Sequence, residues 1–184
     1  MTGYTLPVTA RIGEQEFHLR PDFRNVLQIL TWLERQELPE FLRWRIAVEL
    51  FYEEKVEKTH LSEAAEYLAR FLRAEEEESA PGLRLFSWEQ DARHIIAGVN
   101  KVAGRELRQE TFVHWWTFLS WFHAMGEGSF LTLVSIREKL AKGKTLEAWE
   151  QEFYRQNKQQ VTLQVREDPL TRQEKEALLR RLDG

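Results

Sequence analysis

Hydrophobic residues recur at helical spacing through most of this chain. After Asp22, apolar side chains return every three or four positions, which places them on one face of a helix. Several later segments show the same helical spacing of apolar residues, and Pro, Gly and charged residues separate these segments from one another. The pattern predicts helices over 23–36, 39–54, 61–72, 87–103, 110–125, 130–142 and 146–157. We therefore expect a mainly α-helical bundle of about seven helices.

The first twenty residues follow a different pattern. The runs Leu6 to Ile12 and Glu16 to Leu19 are alternating or β-branched, and Gly13-Glu14 lies between them. This arrangement predicts a small N-terminal β-hairpin. Pro21 then ends the extended chain, and Asp22 is suited to cap the first helix.

Two segments interrupt the helical pattern. Four consecutive glutamates, 75–78, precede Pro81-Gly82 and predict a solvated loop, with an acidic docking tail as the less favoured alternative. A short alternating segment, 161–165, comes before a charged stretch in which Thr171 and Glu174 predict a last helix over 171–182. We predict one helical domain over 1–160, which begins with the hairpin, and a charged C-terminal segment over 161–184.

Charge and composition narrow the class of protein. The chain has 184 residues, a formal net charge of -4, and no cysteine, which excludes disulfides and thiolate chemistry. Acidic and basic residues are mixed without the basic stripe that nucleic-acid binding requires. No signal peptide or stretch of about 18 uncharged apolar residues is visible. We therefore expect a soluble cytosolic protein that binds neither nucleic acid nor membrane.

Candidate catalytic and metal-binding residues are sparse. His114 and His123 lie nine positions apart on one predicted helix, which places them on opposite faces. Asp91 and His94 are three positions apart, and this spacing favours an exposed polar pair over a metal pair. No Gly-rich phosphate loop or nucleophile motif occurs. The sequence predicts no enzyme, no metal site and no cofactor.

Aromatic residues concentrate between Thr111 and Met125. As one helix, this segment forms a wide apolar arc that is typical of a central helix. Trp121 falls on the opposite face, and it and Trp32 are candidates for an exposed partner surface. Because Trp is enriched at interface hot spots, we predict Trp32, Trp121 and Trp149 as protein-interaction residues.

Arg137 occupies an unusual position inside the apolar arc of its predicted helix. A buried guanidinium requires an anionic partner. Asp91 lies at the rim of the apolar arc of another helix, so we hypothesise an ion pair between Asp91 and Arg137. The alternative is that Arg137 buries only its aliphatic stem and extends its charged group to water.

Several short motifs along the chain are informative in combination. They include Leu6-Pro7, then Asp22-Phe-Arg24, and a denser part between Phe86 and Lys139. That part contains Phe-Ser-Trp-Glu-Gln-Asp at 86–91, His-Trp-Trp-Thr-Phe at 114–118 and Ile-Arg at 136–137. Together these motifs resemble the bacteriophage gene-product-fifteen family, and the resemblance extends from about residue 6 to 157.

This resemblance implies a role in phage tail assembly. Such proteins are thought to act as chaperones that coat the long helical tape-measure protein and recruit tail-tube subunits, with possible self-association. No catalytic residue is carried over. The alternatives are a structural tail component or adaptor that is retained in the virion and, from another class, a small metal-dependent hydrolase.

Overall fold

The computed structural model describes residues 5–74 and 82–164 of the chain. It confirms the mainly α-helical fold with a small N-terminal hairpin. In the described residues, the hairpin consists of β1 (Thr9–Ile12) and β2 (Gln15–His18). The α-helices are α1 (Phe23–Leu33), α2 (Glu40–Phe51), α3 (Leu61–Leu72), α4 (Ala92–Ala103), α5 (Trp115–His123), α6 (Ser129–Ala141), α7 (Ala148–Gln156) and α8 (Lys158–Val161). Short 3-10 helices cover Lys58–His60 and Leu107–Gln109.

The hairpin turn contacts the start of α3. β1 and β2 are antiparallel, with Ala10 opposite Phe17. Gly13 has a φ of +59°, and a Cβ atom there would lie 2.8 Å from the His60 ring. Its amide donates to both carboxylate oxygens of Glu63 at 3.0 Å. Glycine is therefore required for both the left-handed turn and the close approach to α3.

Asp22 and His114 join the starts of α1 and α5. Asp22 accepts hydrogen bonds from the amides of Arg24 and Val113, each at 3.0 Å. His114 Nδ1 accepts from the amide of Trp116 at 3.1 Å, and its Nε2 lies 3.0 Å from the carbonyl oxygen of Pro7. Each of these two side chains therefore caps the helix that follows it and also binds a segment far away in sequence.

Several predicted helix ends were wrong, and each has a local cause. The aromatic helix begins at Trp115 rather than residue 110, because His114 is an extended N-cap with ψ of 140°. α7 begins at Ala148 rather than residue 146, because Glu147 and Glu150 form its capping box. α4 begins at Ala92, after a turn that covers residues 88–91. The alternating pattern over 161–165 is typical of an extended chain, but Val161 is the last residue of the helix α8.

The core has a large and a small part. The large cluster joins the hairpin to α1–α5 and contains Val26, Ile29 and Phe118 at 0% exposure. The small cluster contains Leu133 and Ile136 of α6 and Val161 of α8. The predicted domain boundary at 160/161 falls inside α8. The four-glutamate stretch and the predicted helix over 171–182 lie outside the described residues.

Candidate functional site: an apolar groove along the third helix

An apolar groove lies between α2 and α3. Its first lobe has a volume of about 580 Å³. Phe41 is the most accessible aromatic residue there, at 73% exposure. A phenyl ring in water is a favourable contact for an apolar partner. The residues that line this lobe are Phe41, Trp44, Arg45, Val48, Lys58, Leu61, Ser62 and Ala65.

A second lobe continues the groove on the other side of Trp44, which lines both lobes. Its volume is about 630 Å³. It involves α1, α2, α3, α5 and the turn before α4. The residues that line it are Leu30, Trp44, Glu66, Ala69, Arg70, Leu72, Arg73, Trp88, Trp115 and Leu119. We refer to the two lobes together as the α3 groove.

One face of α3 forms the floor of the α3 groove. Leu61, Ala65, Ala69 and Leu72 are spaced by four, four and three positions, which places them along one side of the helix. This side extends over roughly 16 Å, or about three helical turns. Ala65 and Ala69 have small side chains, so the backbone of another helix could approach closely.

Basic side chains flank this apolar floor. Arg45 and Lys58 line the first lobe, whereas Arg70 and Arg73 line the second. Glu66 is the one acidic side chain among the described lining residues, and its carboxylate accepts from the Ser62 hydroxyl at 3.3 Å. Four cationic side chains and one carboxylate therefore line the α3 groove, on a chain whose net charge is -4.

The structure brings Asp91 and Arg137 together, as the sequence hypothesis required. The Arg137 guanidinium donates from Nη1 to Asp91 Oδ2 at 2.6 Å and from Nη2 to Asp91 Oδ1 at 2.9 Å. Their side chains are 4% and 2% exposed. A bidentate pair of this kind is stronger and more directional than a single contact. The alternative, in which the guanidinium extends to water, does not occur.

Backbone carbonyls complete the surroundings of this ion pair. Arg137 also donates to the carbonyl oxygens of Leu85 at 3.1 Å, Gln160 at 2.5 Å and Val161 at 2.8 Å. Asp91 accepts from the amide of Ser87 at 3.0 Å. Full pairing of this sort offsets the cost of removing two charges from water. We call Leu85, Ser87, Asp91, Arg137, Gln160 and Val161 the polar junction; it joins the turn before α4 to α6 and α8.

The expected polar pair of Asp91 and His94 was wrong. Asp91 directs its carboxylate to Arg137 and Ser87, whereas His94 Nδ1 lies 2.9 Å from the Ser129 hydroxyl. Within the described residues, no group of three or more His, Asp or Glu side chains is placed to hold a metal ion.

The three predicted interaction tryptophans lie outside the α3 groove. Trp32 and Trp121 are partly buried against the large core cluster, which corrects the expectation that they stay exposed. Arg35 lies 4.7 Å from the Trp32 ring, and Arg105 lies 5.5 Å from the Trp121 ring. Trp149 is 56% exposed on α7. Their role in binding stays a prediction.

Sequence reasoning missed the α3 groove itself. Phe41 and Trp44 belong to the predicted helix over 39–54, and their spacing does not indicate that a groove lies beside them. A usable signal was present in the small residues Ala65 and Ala69, which lie four positions apart on the helix of Leu61. What the sequence lacks is the distance between α2 and α3, which decides whether Phe41 is covered.

Fold and surface together define a small, mainly helical protein that pairs its buried charges within its own chain and exposes an apolar groove. The family model described as Bacteriophage Gp15 protein matches residues 4–163. The chain belongs to this bacteriophage family, as the resemblance of its motifs predicted. No curated protein and no solved structure matches it. Within the part of the chain that the structure describes, no helix has the length and apolar character needed to cross a membrane.

Proposed function

We propose that this protein is a tail-assembly chaperone that acts without catalysis in the cytoplasm of the bacterial host. It binds the tape-measure protein and helps to recruit tail-tube subunits. Membership in a phage family supports the setting. The single observation that carries the proposal is the α3 groove, in which Phe41 is 73% exposed beside Trp44.

The shape of the α3 groove suits an amphipathic helix. Peptide helices bind proteins by laying an apolar face into an apolar groove between helices. The floor of about three turns offers room for residues at positions i, i+4 and i+7 of a client helix. A long helical client with a repeated apolar stripe would then bind many copies of this chain, each through a modest contact area.

Substitution of Phe41 is the most direct test of client binding in the α3 groove. Its ring is far more exposed than a core aromatic residue, so Phe41→Ser removes apolar contact area with little effect on the fold. Phe112 is a matched control, because it is also exposed, at 53%, and lies outside the α3 groove. Trp149→Ser tests the separate prediction that this residue contacts a partner.

The test is co-expression with the tape-measure protein of the same phage or prophage, followed by size-exclusion chromatography with light scattering. We expect a soluble complex with several copies of this chain for each client. Phe41→Ser should reduce the number of bound copies, and Phe112→Ser should not. An aggregated client with no complex would contradict the proposal, and recovery of the chain in finished particles would favour a retained virion component.

A further inference from the structure

The positive rim of the α3 groove indicates which helix it accepts. We propose that the client segment is an amphipathic helix whose apolar stripe is flanked by carboxylates, which pair with Arg70, Arg73 and Lys58. This inference rests on the proposed function, because it specifies the chemistry of the partner at the same groove. The occupant is therefore an acidic helix of another protein.

Arg73 provides the first argument. Its side chain lines the second lobe, and its Nε atom is buried without a hydrogen-bond acceptor in the part of the chain that the structure describes. A buried donor without an acceptor is unfavourable. A planar guanidinium matches a carboxylate with two parallel hydrogen bonds. Because Nε itself is inaccessible, a client carboxylate would pair with the accessible part of the Arg73 guanidinium that lines the lobe.

The spacing of the basic residues provides the second argument. Arg70 lies in the last turn of α3, Arg73 is the C-cap of this helix, and both line the groove at the end of the floor beside Ala69 and Leu72. Arg70 is exposed, with its guanidinium carbon 5.9 Å from the Tyr67 ring centroid. Lys58 lies at the opposite end of the floor, before Leu61. A client helix that covers the floor would therefore meet cations at both of its ends.

The charges that line the α3 groove should make binding selective for an acidic client helix. The whole chain carries a net charge of -4, yet the described lining of the groove contains Arg45, Lys58, Arg70 and Arg73 against Glu66 alone. Complementary charge at the rim of an apolar contact mainly increases association rate and specificity, and it is weakened by salt. A basic client helix with the same apolar stripe would meet like charge.

Two synthetic helical peptides of about 18 residues test this inference, since this length spans five turns. Both carry the same Leu and Ala stripe, and one has Glu flanks where the other has Lys flanks. Binding to the full chain is followed by titration calorimetry. At a low ionic strength of about 0.05 M we expect the Glu peptide to bind at least about tenfold more tightly, with a smaller ratio at about 0.5 M.

Charge-reversal variants link the preference to named residues. Arg70→Glu and the double variant Arg70→Glu/Arg73→Glu should each reduce or reverse the preference, whereas Arg93→Glu on the exposed surface of α4 should leave it unchanged. Circular dichroism confirms that each variant is folded. Arg70→Glu alone keeps the test valid if the double variant does not fold, because Arg70 is exposed.

Three outcomes would overturn the inference. Equal binding of both peptides would remove the charge preference and leave the proposed function in place. A dimer that Phe41→Ser converts to a monomer, with no peptide bound, would identify a second copy as the occupant. Leu178 belongs to the charged C-terminal segment over 161–184. If the peptide bound only to the Leu178→Asp variant, this segment of the same chain would be the occupant of the groove.

Discussion

Arg137 and Arg73 place the same guanidinium group in two contrasting surroundings. Arg137 is nearly inaccessible and makes five hydrogen bonds, all to its own chain. Arg73 lines an open groove, and its Nε atom lacks an acceptor among the described residues. The polar junction is thus complete by itself, whereas Arg73 keeps unused hydrogen-bonding capacity beside the α3 groove.

Apolar residues repeat this contrast. Leu133 and Ile136 are fully buried, and Val161 is 2% exposed, so the cluster beside the polar junction is closed. Phe41 is 73% exposed, although it belongs to a helix with five buried residues. The difference predicts that changes at the polar junction reduce stability and that changes in the α3 groove reduce binding.

The largest expected effect is at the polar junction. Arg137→Met leaves the Asp91 carboxylate buried without its cation and leaves three backbone carbonyls without their donor. Loss of one partner of a buried pair costs about 3–5 kcal/mol. For a chain of this length that corresponds to a decrease of roughly 10 °C in the melting temperature. Thermal unfolding measures it.

The controls for Arg137→Met separate pairing from burial. Arg93→Met, on the surface of α4, should change the melting temperature little. The double variant Asp91→Asn/Arg137→Met should be less destabilised than the sum of the single variants, because no unpaired charge remains. Additive losses would show that the two residues act independently.

A smaller effect is expected at His114. His114→Ala removes the cap of α5 and leaves the carbonyl oxygen of Pro7 without its donor. Together these losses amount to about 2–4 kcal/mol in urea unfolding. His114→Asn keeps a capping side chain and should lose about half as much. Equal losses for Ala and Asn would mean that capping contributes nothing.

The stability contributed by His114 should also depend on pH. Burial lowers the pKa of His114 below its usual value of 6.5, so the folded chain disfavours the proton that the unfolded chain accepts. This contribution is complete above pH 6.5 and decreases as the pH falls below it. The hydrogen bond to Glu54 raises the pKa of His18. The contribution of His18 to stability is therefore complete below pH 6.5 and is lost as the pH rises. An NMR titration should therefore give a pKa below 6.5 for His114 and a pKa above 6.5 for His18.

The smallest expected effect on stability is at the groove. Because Phe41 is exposed, Phe41→Ser should change the free energy of unfolding by less than about 0.5 kcal/mol. Urea unfolding measures this change on the same sample that is used for client binding. A loss above 2 kcal/mol, on the order of a core substitution, would make Phe41 part of the core and remove the contrast between the two regions.

Local rules predicted most of the fold. Alternation around Gly13-Glu14 predicted the hairpin, and helical spacing predicted α1 and α3, because each of these elements depends on residues close in sequence. The start of α5 was missed, since the extended backbone at His114 pairs with the chain at Asp22, which is far away in sequence. The Asp91–Arg137 pair could be anticipated, because a cation within an apolar arc requires an anion. The openness of the α3 groove could not, since it depends on how α2 and α3 pack.

The polar junction connects positions that are far apart in sequence. Arg137 bonds to Leu85, 52 residues earlier, and to Val161, 24 residues later. Because closing long loops is entropically costly, these bonds should form after the folding barrier has been crossed. Interactions that form late change the unfolding rate more than the folding rate. We therefore expect Arg137→Met to shorten the lifetime of a folded copy more than it slows folding, which stopped-flow unfolding and refolding rates would measure.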